Sequence, residues 1–109
     1  MNANQDSRYI IVLTNVPDQE SAIALAQHLL ECKLAACVNI LSPCLSMYHW
    51  RKKIETANET PMLIKSLSVN FAEIEKAIKE KHPYDVPEII ALPITQGSAE
   101  YLAWIDAEN

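Results

Sequence analysis

The residues best suited to chemistry stand together at positions 82–88, where the sequence reads His-Pro-Tyr-Asp-Val-Pro-Glu. This stretch combines an imidazole, a phenol and two carboxylates, groups that bind cations and transfer protons. Each proline fixes its own φ at about −65° and pushes the preceding residue towards extended backbone. The pattern therefore predicts a stiff loop that holds polar side chains in fixed directions. The plainer interpretation, that the prolines only end a helix, stays open.

Further candidate positions lie outside this loop. Glu59 precedes Pro61 at a break in an extended run, and such a break is typical of a β-bulge that directs a side chain towards a site. Trp50 ends an alternating stretch and is predicted to anchor an interface with another chain. Glu88 is predicted either to form an ion pair with Lys65 on a neighbouring strand or to line a cleft.

The other reactive side chains have plainer interpretations. Tyr84 is predicted either to pack with one hydroxyl hydrogen bond or to contact a ligand. His28 is interpreted as a surface or boundary histidine. Cys32, Cys37 and Cys44 form an odd count without CxxC spacing, so they predict neither a disulfide framework nor a zinc motif. We interpret them as small core residues, although Cys37 near a subunit boundary is also a candidate ligand for a soft metal.

No catalytic constellation accompanies these residues. No serine stands in a strained strand-to-helix turn with a histidine partner, and nothing in the sequence marks a perturbed environment around Asp85 and Glu88. Gly97 is the single glycine, which excludes a glycine-rich phosphate loop. We therefore expect a binding protein rather than an enzyme.

Composition bounds the class of protein. The 109 residues are half hydrophobic and 21% charged, which predicts one globular domain at residues 8–109 after a polar, disordered tail at residues 1–7. A net charge of −5 argues against nucleic acid as a partner. No apolar run approaches the ~20 residues of a membrane span, and no hydrophobic signal region precedes the domain. We expect a reducing, cytoplasmic location.

Hydrophobic periodicity predicts four strands and three helices. They follow one another as strand 9–13, helix 18–32, bent strand 35–50, return strand 54–67, helix 70–81, strand 88–94 and a short helix from 97. Asn70 and Glu73 predict a capping box at the start of the second helix. Pro43 interrupts the bent strand, and Arg51 belongs to the basic turn that joins it to its return.

This order predicts an α+β, ferredoxin-like split β-α-β fold. Its parts are a four-stranded antiparallel sheet with two helices on one face, a long bent hairpin and a short C-terminal helix. No helix covers the second face of the sheet, whose strands are apolar. We therefore expect a homo-oligomer that buries this face, with the hairpin exchanged between subunits.

Five segments, at residues 33–39, 46–50, 65, 82–88 and 101–105, carry a further signal. Taken together and in this order, they resemble the CutA divalent-cation tolerance family. The similarity covers nearly the whole chain from about Tyr9. It implies a ferredoxin-like protomer in a tight homotrimer, binding of copper and similar ions, and a role in metal tolerance.

The resemblance also implies a set of metal ligands. The family pattern has a cysteine at the end of the first strand, a glutamate before the third strand's apolar run and the histidine of the His-Pro-Tyr loop. Glu59 and His82 match the last two, whereas Thr14 replaces the cysteine. Losing the thiolate removes the softest ligand. The remaining imidazole and carboxylate still suit copper(II), zinc or nickel, which they would bind more weakly. The alternative is that no ion is bound. Arg51 is a second departure, since relatives often carry glycine at the hairpin tip.

Three functions remain open at this point. The first is a trimeric divalent-cation (copper-type) binding protein in metal tolerance. The second is a non-enzymatic small-molecule-sensing or signalling trimer, related by fold to nitrogen-regulatory signal proteins. Its predicted inter-subunit cleft is lined by Trp50, Lys65, Tyr84 and Glu88. The third is a structural trimer that binds neither metal nor ligand.

Overall fold

The structure is a computed structural model that describes residues 7–109. The predicted N-terminal tail at residues 1–7 therefore lies, except for Ser7, outside the described residues. The Ser7 hydroxyl donates to the carbonyl oxygens of Tyr9 and Ile94, at 2.8 and 2.9 Å. None of the helices in the described part of the chain is long and apolar enough to cross a bilayer.

Five strands and three helices make up the described chain, and the predicted α+β class is confirmed. They are β1 (Tyr9–Val16), α1 (Gln19–Glu31), β2 (Cys37–Ile40), β3 (Cys44–Trp50), β4 (Lys53–Leu67), α2 (Phe71–Lys81), β5 (Ile89–Pro93) and α3 (Ala99–Ala107). A short 3₁₀ turn, Ser68–Asn70, precedes α2. The strand order β2-β4-β1-β5, with antiparallel pairing at each of these contacts, is that of the predicted ferredoxin-like sheet.

The predicted bent strand is divided into β2 and β3, which both pair with the long strand β4. Ile40 lies opposite Met62, whereas Cys44 lies opposite Glu59. Three residues of one strand, 41–43, therefore face two of β4, which is a β-bulge. Pro43, which has no N–H to donate, is one of the three. The sequence predicted a bulge near Pro61, and the structure has one at this point. Its extra residue, however, lies in segment 41–43 and not in β4. We call β3 and its pairing half of β4, residues 44–59, the arm.

Helices α1 and α2 cover one face of the sheet. Alternate residues of β1 point towards them, because successive side chains of a strand face opposite sides. The core cluster combines these residues with apolar side chains of β4 and both helices. It contains Ile10, Val12, Val16, Ala22, Leu25, Ala26, Leu29, Ala35, Met62, Ile64, Ile74, Ala77 and Ile78.

The second face of the sheet lacks this cover. Cross-strand pairing places five apolar residues on it together: Ile11, Leu13, Leu63, Ile90 and Leu92. Ile90 and Leu92 are each nearly half exposed. We call these five residues the open sheet face.

The predicted capping box at α2 is wrong. Asn70 has helical backbone angles, φ −92° and ψ −4°, and makes no cap hydrogen bond. A capping side chain needs extended backbone, and the 3₁₀ turn has already bent the chain. Asn70 instead donates from Nδ2 to Asn109 Oδ1 at 3.0 Å. Asp18 caps α1 by accepting from the Ser21 amide at 2.8 Å.

The prediction that the cysteines are core residues is also wrong for two of them. Cys32 and Cys44 are exposed and Cys37 is half-buried, all three as free thiols. Cys32 follows the last core residue of α1, Leu29, and lies on the solvent side of the helix end. Its sulfur lies 3.9 Å from Nε2 of His28, one turn earlier. Cys44 belongs to the arm, where α1 and α2 give no cover.

Candidate functional site

A cavity of about 800 Å³ lies between the arm and the loop at residues 83–88. We call it the arm–loop cavity. Its lining consists of residues 46–50 from β3, Glu59 from β4 and residues 83–88 from the loop. Three aromatic side chains, Tyr48, Trp50 and Tyr84, contribute to it. The predicted stiff loop at residues 82–88 therefore lies next to the predicted hairpin, of which the arm is the outer part.

The charge of this lining has one sign. Glu59, Asp85 and Glu88 supply three carboxylates, and none of the lining residues is lysine or arginine. Arg51 stands at the tip of the arm, 5.7 Å from the ring centroid of Trp50, and is not part of the lining. A concave surface with this charge attracts and concentrates cations.

Glu59 is the most buried of the three carboxylates, with 8% of its surface exposed. Glutamate is rarely so buried unless a partner neutralises it. The two ion pairs found within residues 7–109 do not include it. Burial, followed by the negative charge of Glu59, raises the pKa of Tyr84. Glu59 and the Tyr84 phenol are therefore electrostatic neighbours inside the cavity.

His82 holds the beginning of the loop through both ring nitrogens. Its Nε2 lies 2.6 Å from the Asn15 carbonyl oxygen, and its Nδ1 accepts from the Tyr84 amide at 3.2 Å. This pattern requires the proton on Nε2. The ring also packs on that of Tyr84, with centroids 4.5 Å apart. In this conformation neither nitrogen has a lone pair free for a metal.

Glu88 is held by the same residue of β1. Asn15 Nδ2 donates to Glu88 Oε1 at 2.8 Å, so that Asn15 ties both ends of the loop. Of the two interpretations of Glu88, the structure shows the cleft-lining one. Lys65 does not pair with it, because Lys65 lies opposite Cys37 on β2 and donates to Asn39. Within one chain, the predicted cleft residues Trp50, Tyr84 and Glu88 line the cavity, and Lys65 does not.

The three positions implied as metal ligands do not converge. Thr14 is fully buried and lies opposite Met62, on the side of the sheet that faces the helices. Glu59, three residues before Met62, faces the opposite side. The Thr14 hydroxyl has no hydrogen-bond partner within residues 7–109.

The donor set limits what kind of metal site one chain can form. Among the described residues, no group of three His, Cys, Asp or Glu side chains is placed to hold an ion. The cavity offers carboxylate oxygens, which suit hydrated divalent cations held by one or two protein ligands and several waters. A closed site with four protein ligands does not fit these residues.

Asn15 is the site residue that the sequence did not reveal. In the sequence it falls between the predicted strand 9–13 and helix 18–32, where no pattern singles it out. Its side chain reaches Glu88, 73 positions later in the chain, and its carbonyl oxygen reaches His82, 67 positions later. The one available signal is a polar residue at the end of a buried strand, and that signal does not indicate the partners.

The fold defines a ferredoxin-like α+β protein with an extended arm and an acidic cavity beside it. The chain matches the family model described as CutA1 divalent ion tolerance protein over residues 10–108, and it belongs to that family. The resemblance drawn from the five segments is thereby confirmed.

Relatives agree over most of the chain. The divalent-cation tolerance protein CutA of Pectobacterium atrosepticum is 41% identical over 98 residues, covering 90% of this chain and 89% of the relative. The solved structure of CutA from Archaeoglobus fulgidus, described as a periplasmic divalent cation tolerance protein, has a TM-score of 0.89 at 43% identity. It covers 92% of this chain and 97% of that one. CutA1 from Shewanella sp. SIB1 gives a TM-score of 0.91 at 39% identity, covering 94% and 96%.

Proposed function

We propose that this protein serves divalent-cation tolerance by binding a divalent cation in the arm–loop cavity. The observation that carries the proposal is Glu59, a carboxylate 8% exposed in a lining with two further carboxylates and no lysine or arginine. A cation placed there compensates a charge whose burial is otherwise unfavourable.

Glu59 is the proposed primary ligand, and the second is His82, which directly precedes the lining residue Pro83. His82 binds the ion only after one of its nitrogens gives up its hydrogen bond to Asn15 or Tyr84. An imidazole with a carboxylate suits copper(II), zinc and nickel. The hydrogen bond that His82 must give up supports modest affinity, and its imidazole supports a copper-type preference.

Calorimetry with zinc(II), which does not oxidise thiols, tests the assignment. The experiment uses a Cys32→Ser background, which removes the exposed thiol beside His28 as a competing ligand. We expect about one ion per chain, and Glu59→Gln is expected to weaken binding about tenfold or more. Glu55→Gln, the same change at an exposed position of β4 outside the cavity, is the matched control. Equal affinity in the Glu59 and Glu55 variants would remove Glu59 from the site.

We propose that the protein is a homotrimer. The open sheet face supports association, and so do the apolar side chains along the arm. Leu45, Met47 and Ile54 are each about two-thirds exposed in the single chain. Exposed apolar patches of this kind mark protein–protein contacts. Light scattering is expected to give three times the 12.3 kDa of one chain, and a monomer mass would contradict the proposal.

A small organic ligand is the second candidate for the same cavity. Its volume of about 800 Å³ falls within the range of small-molecule sites, roughly 300–1,000 Å³. Its aromatic side chains beside carboxylates favour a cationic organic molecule. A thermal-shift screen comparing organic amines with nucleotides tests this candidate. It is supported if amines alone raise the melting temperature, and it fails if neither class does.

We propose a cytoplasmic location. The exposed thiols Cys32 and Cys44 support it, because a reducing compartment keeps such groups free. One solved relative is described as periplasmic. Cell fractionation decides between the two locations.

A further inference from the structure

We propose that His28 and Cys32 form a second metal site, separate from the arm–loop cavity, which takes a thiolate-binding cation such as zinc(II). The two residues stand one helical turn apart at the end of α1. Side chains four positions apart on a helix lie on the same face. No residue of this pair lines the arm–loop cavity.

The two side chains are close enough to share an ion after the imidazole rotates. The Cys32 sulfur lies 3.9 Å from Nε2 and 4.0 Å from Nδ1 of His28. Zinc bonds of about 2.3 Å to sulfur and 2.0–2.1 Å to nitrogen, at a tetrahedral angle, place the donors about 3.6 Å apart. Because the sulfur is almost equidistant from the two ring nitrogens, neither lone pair points towards it, and binding requires the imidazole to rotate until one nitrogen faces the ion.

The backbone around the pair is held in place. The Cys32 amide donates to the His28 carbonyl at 3.0 Å, and the Leu34 amide donates to the Leu29 carbonyl at 2.9 Å. This second bond closes the helix end immediately after Cys32. Both ligands are thus presented on an ordered turn, which reduces the conformational entropy lost when an ion binds.

The local charge also favours a cation. The C-terminal end of a helix carries a partial negative charge. The two charged neighbours of Cys32, Glu31 and Lys33, have opposite charges, so their electrostatic effects on a cation largely cancel. Cys32 is exposed, so an ion reaches the sulfur without any rearrangement of the core.

Binding at this pair involves a simple exchange. The Cys32 thiol gives its proton to solvent as its sulfur bonds to the metal, and His28 donates a ring-nitrogen lone pair. Water completes the coordination. No oxidant or reductant is needed, since zinc(II) keeps its oxidation state.

Cobalt(II), as a spectroscopic substitute for zinc(II), gives the direct test. Wild-type protein is expected to show the near-ultraviolet thiolate-to-cobalt charge-transfer band, which zinc(II) abolishes by displacement. Cys32→Ser is expected to lose the band. His28→Gln is expected to weaken cobalt(II) binding about tenfold. Circular dichroism checks that both variants keep their helix content.

Two controls separate this site from other ligands. Cys44→Ser removes the other exposed thiol, and its band is expected to be unchanged. Glu59→Gln removes the proposed cavity ligand and is also expected to keep the band, so a failure of the cavity site does not affect this test. The proposal is overturned if wild-type protein shows no band, if Cys32→Ser keeps it, or if His28→Gln binds as tightly as wild type.

Discussion

His82 Nε2 lies 2.6 Å from the carbonyl oxygen of Asn15, so the histidine of the His-Pro-Tyr loop is a structural hydrogen-bond donor as well as a candidate metal ligand. The contact joins the end of β1 to the loop after α2. It occupies the nitrogen that a metal would otherwise use. The two roles have different consequences when the side chain is removed.

Stability measurements on His82→Ala test the structural role. The substitution leaves the part-buried Asn15 carbonyl without its partner, which costs about 1–3 kcal/mol. We expect the free energy of unfolding to fall by that amount in a urea titration at fixed protein concentration. His49→Ala, at an exposed position of the arm, is expected to change it by less than about 0.5 kcal/mol. If the two variants lose equal stability, the Asn15 contact contributes nothing.

Introducing the family's cysteine is not expected to restore tight metal binding. Thr14 lies on the helix-facing side of the sheet, and Glu59 lies on the other side. A thiolate at position 14 therefore does not reach an ion held by Glu59. We expect Thr14→Cys and Thr14→Val, compared in the Cys32→Ser background, to have equal zinc(II) affinities by calorimetry. A gain of tenfold or more in the cysteine variant would show that position 14 reaches the site.

Acid is expected to weaken the attachment of α3 to β1. Asp106 accepts from the Tyr9 hydroxyl at 2.5 Å and from Arg8 Nε at 2.8 Å, and these bonds lower the pKa of Asp106 below its ordinary value of 3.8. A carboxylate with a lowered folded-state pKa stabilises the fold above the ordinary value. That contribution disappears as the pH falls through the folded-state pKa.

The melting temperature of Asp106→Asn is therefore expected to lie below that of wild type at pH 7 and to converge with it below about pH 4. Glu108→Gln, at an exposed position two residues later, serves as the control and should follow wild type. A constant gap between Asp106→Asn and wild type across this range would contradict the assignment.

Lys33 occupies a position that glycine suits better. Its φ is 59°, and it follows the last turn of α1, where the chain reverses through left-handed backbone. A side chain in this region costs about 1 kcal/mol. We expect Lys33→Gly to raise the free energy of unfolding by about 0.5–1 kcal/mol. Lys76→Gly, the same change inside α2, should lower it by about 1 kcal/mol. If both variants change stability in the same direction, the left-handed strain at Lys33 is not significant.

The order of the elements could be predicted because each depends on a local pattern. Alternation in β1 and the 3.6-residue period in α1 are properties of neighbouring residues. The stiffness of the loop at residues 82–88 likewise follows from its own two prolines. The arrangement of the sheet followed from this order, and the family resemblance implied the same ferredoxin-like protomer.

Contacts that depend on register could not be predicted in the same way. Whether Glu88 meets Lys65 or Asn15 depends on which residues of β4 and β5 face β1, and this is decided by packing of the whole sheet. The predicted Asn70 cap is absent for a similar reason, because the Asn70 side chain hydrogen-bonds to Asn109, 39 positions later in the chain. Cys32 and Cys44 are exposed because they lie outside the region that α1 and α2 pack against. The hydrophobicity of a residue does not show where that region ends.

The bulge at residues 41–43 sets the phase of the arm. Its single extra residue puts Cys44 opposite Glu59, so Tyr48 and Trp50, at even positions of β3, share a side with that carboxylate. If the same sequence paired with β4 without a bulge, Pro43 would lie opposite Glu59, and the odd positions of β3, Met47 and His49 among them, would share its side. The bulge therefore keeps the aromatic positions of β3 on the side of Glu59 although the segment is one residue longer than its partner. Deleting one of its three residues would remove the bulge and leave Cys44 opposite Glu59, so the arm would keep its aromatic side and lose the bend that a bulge produces.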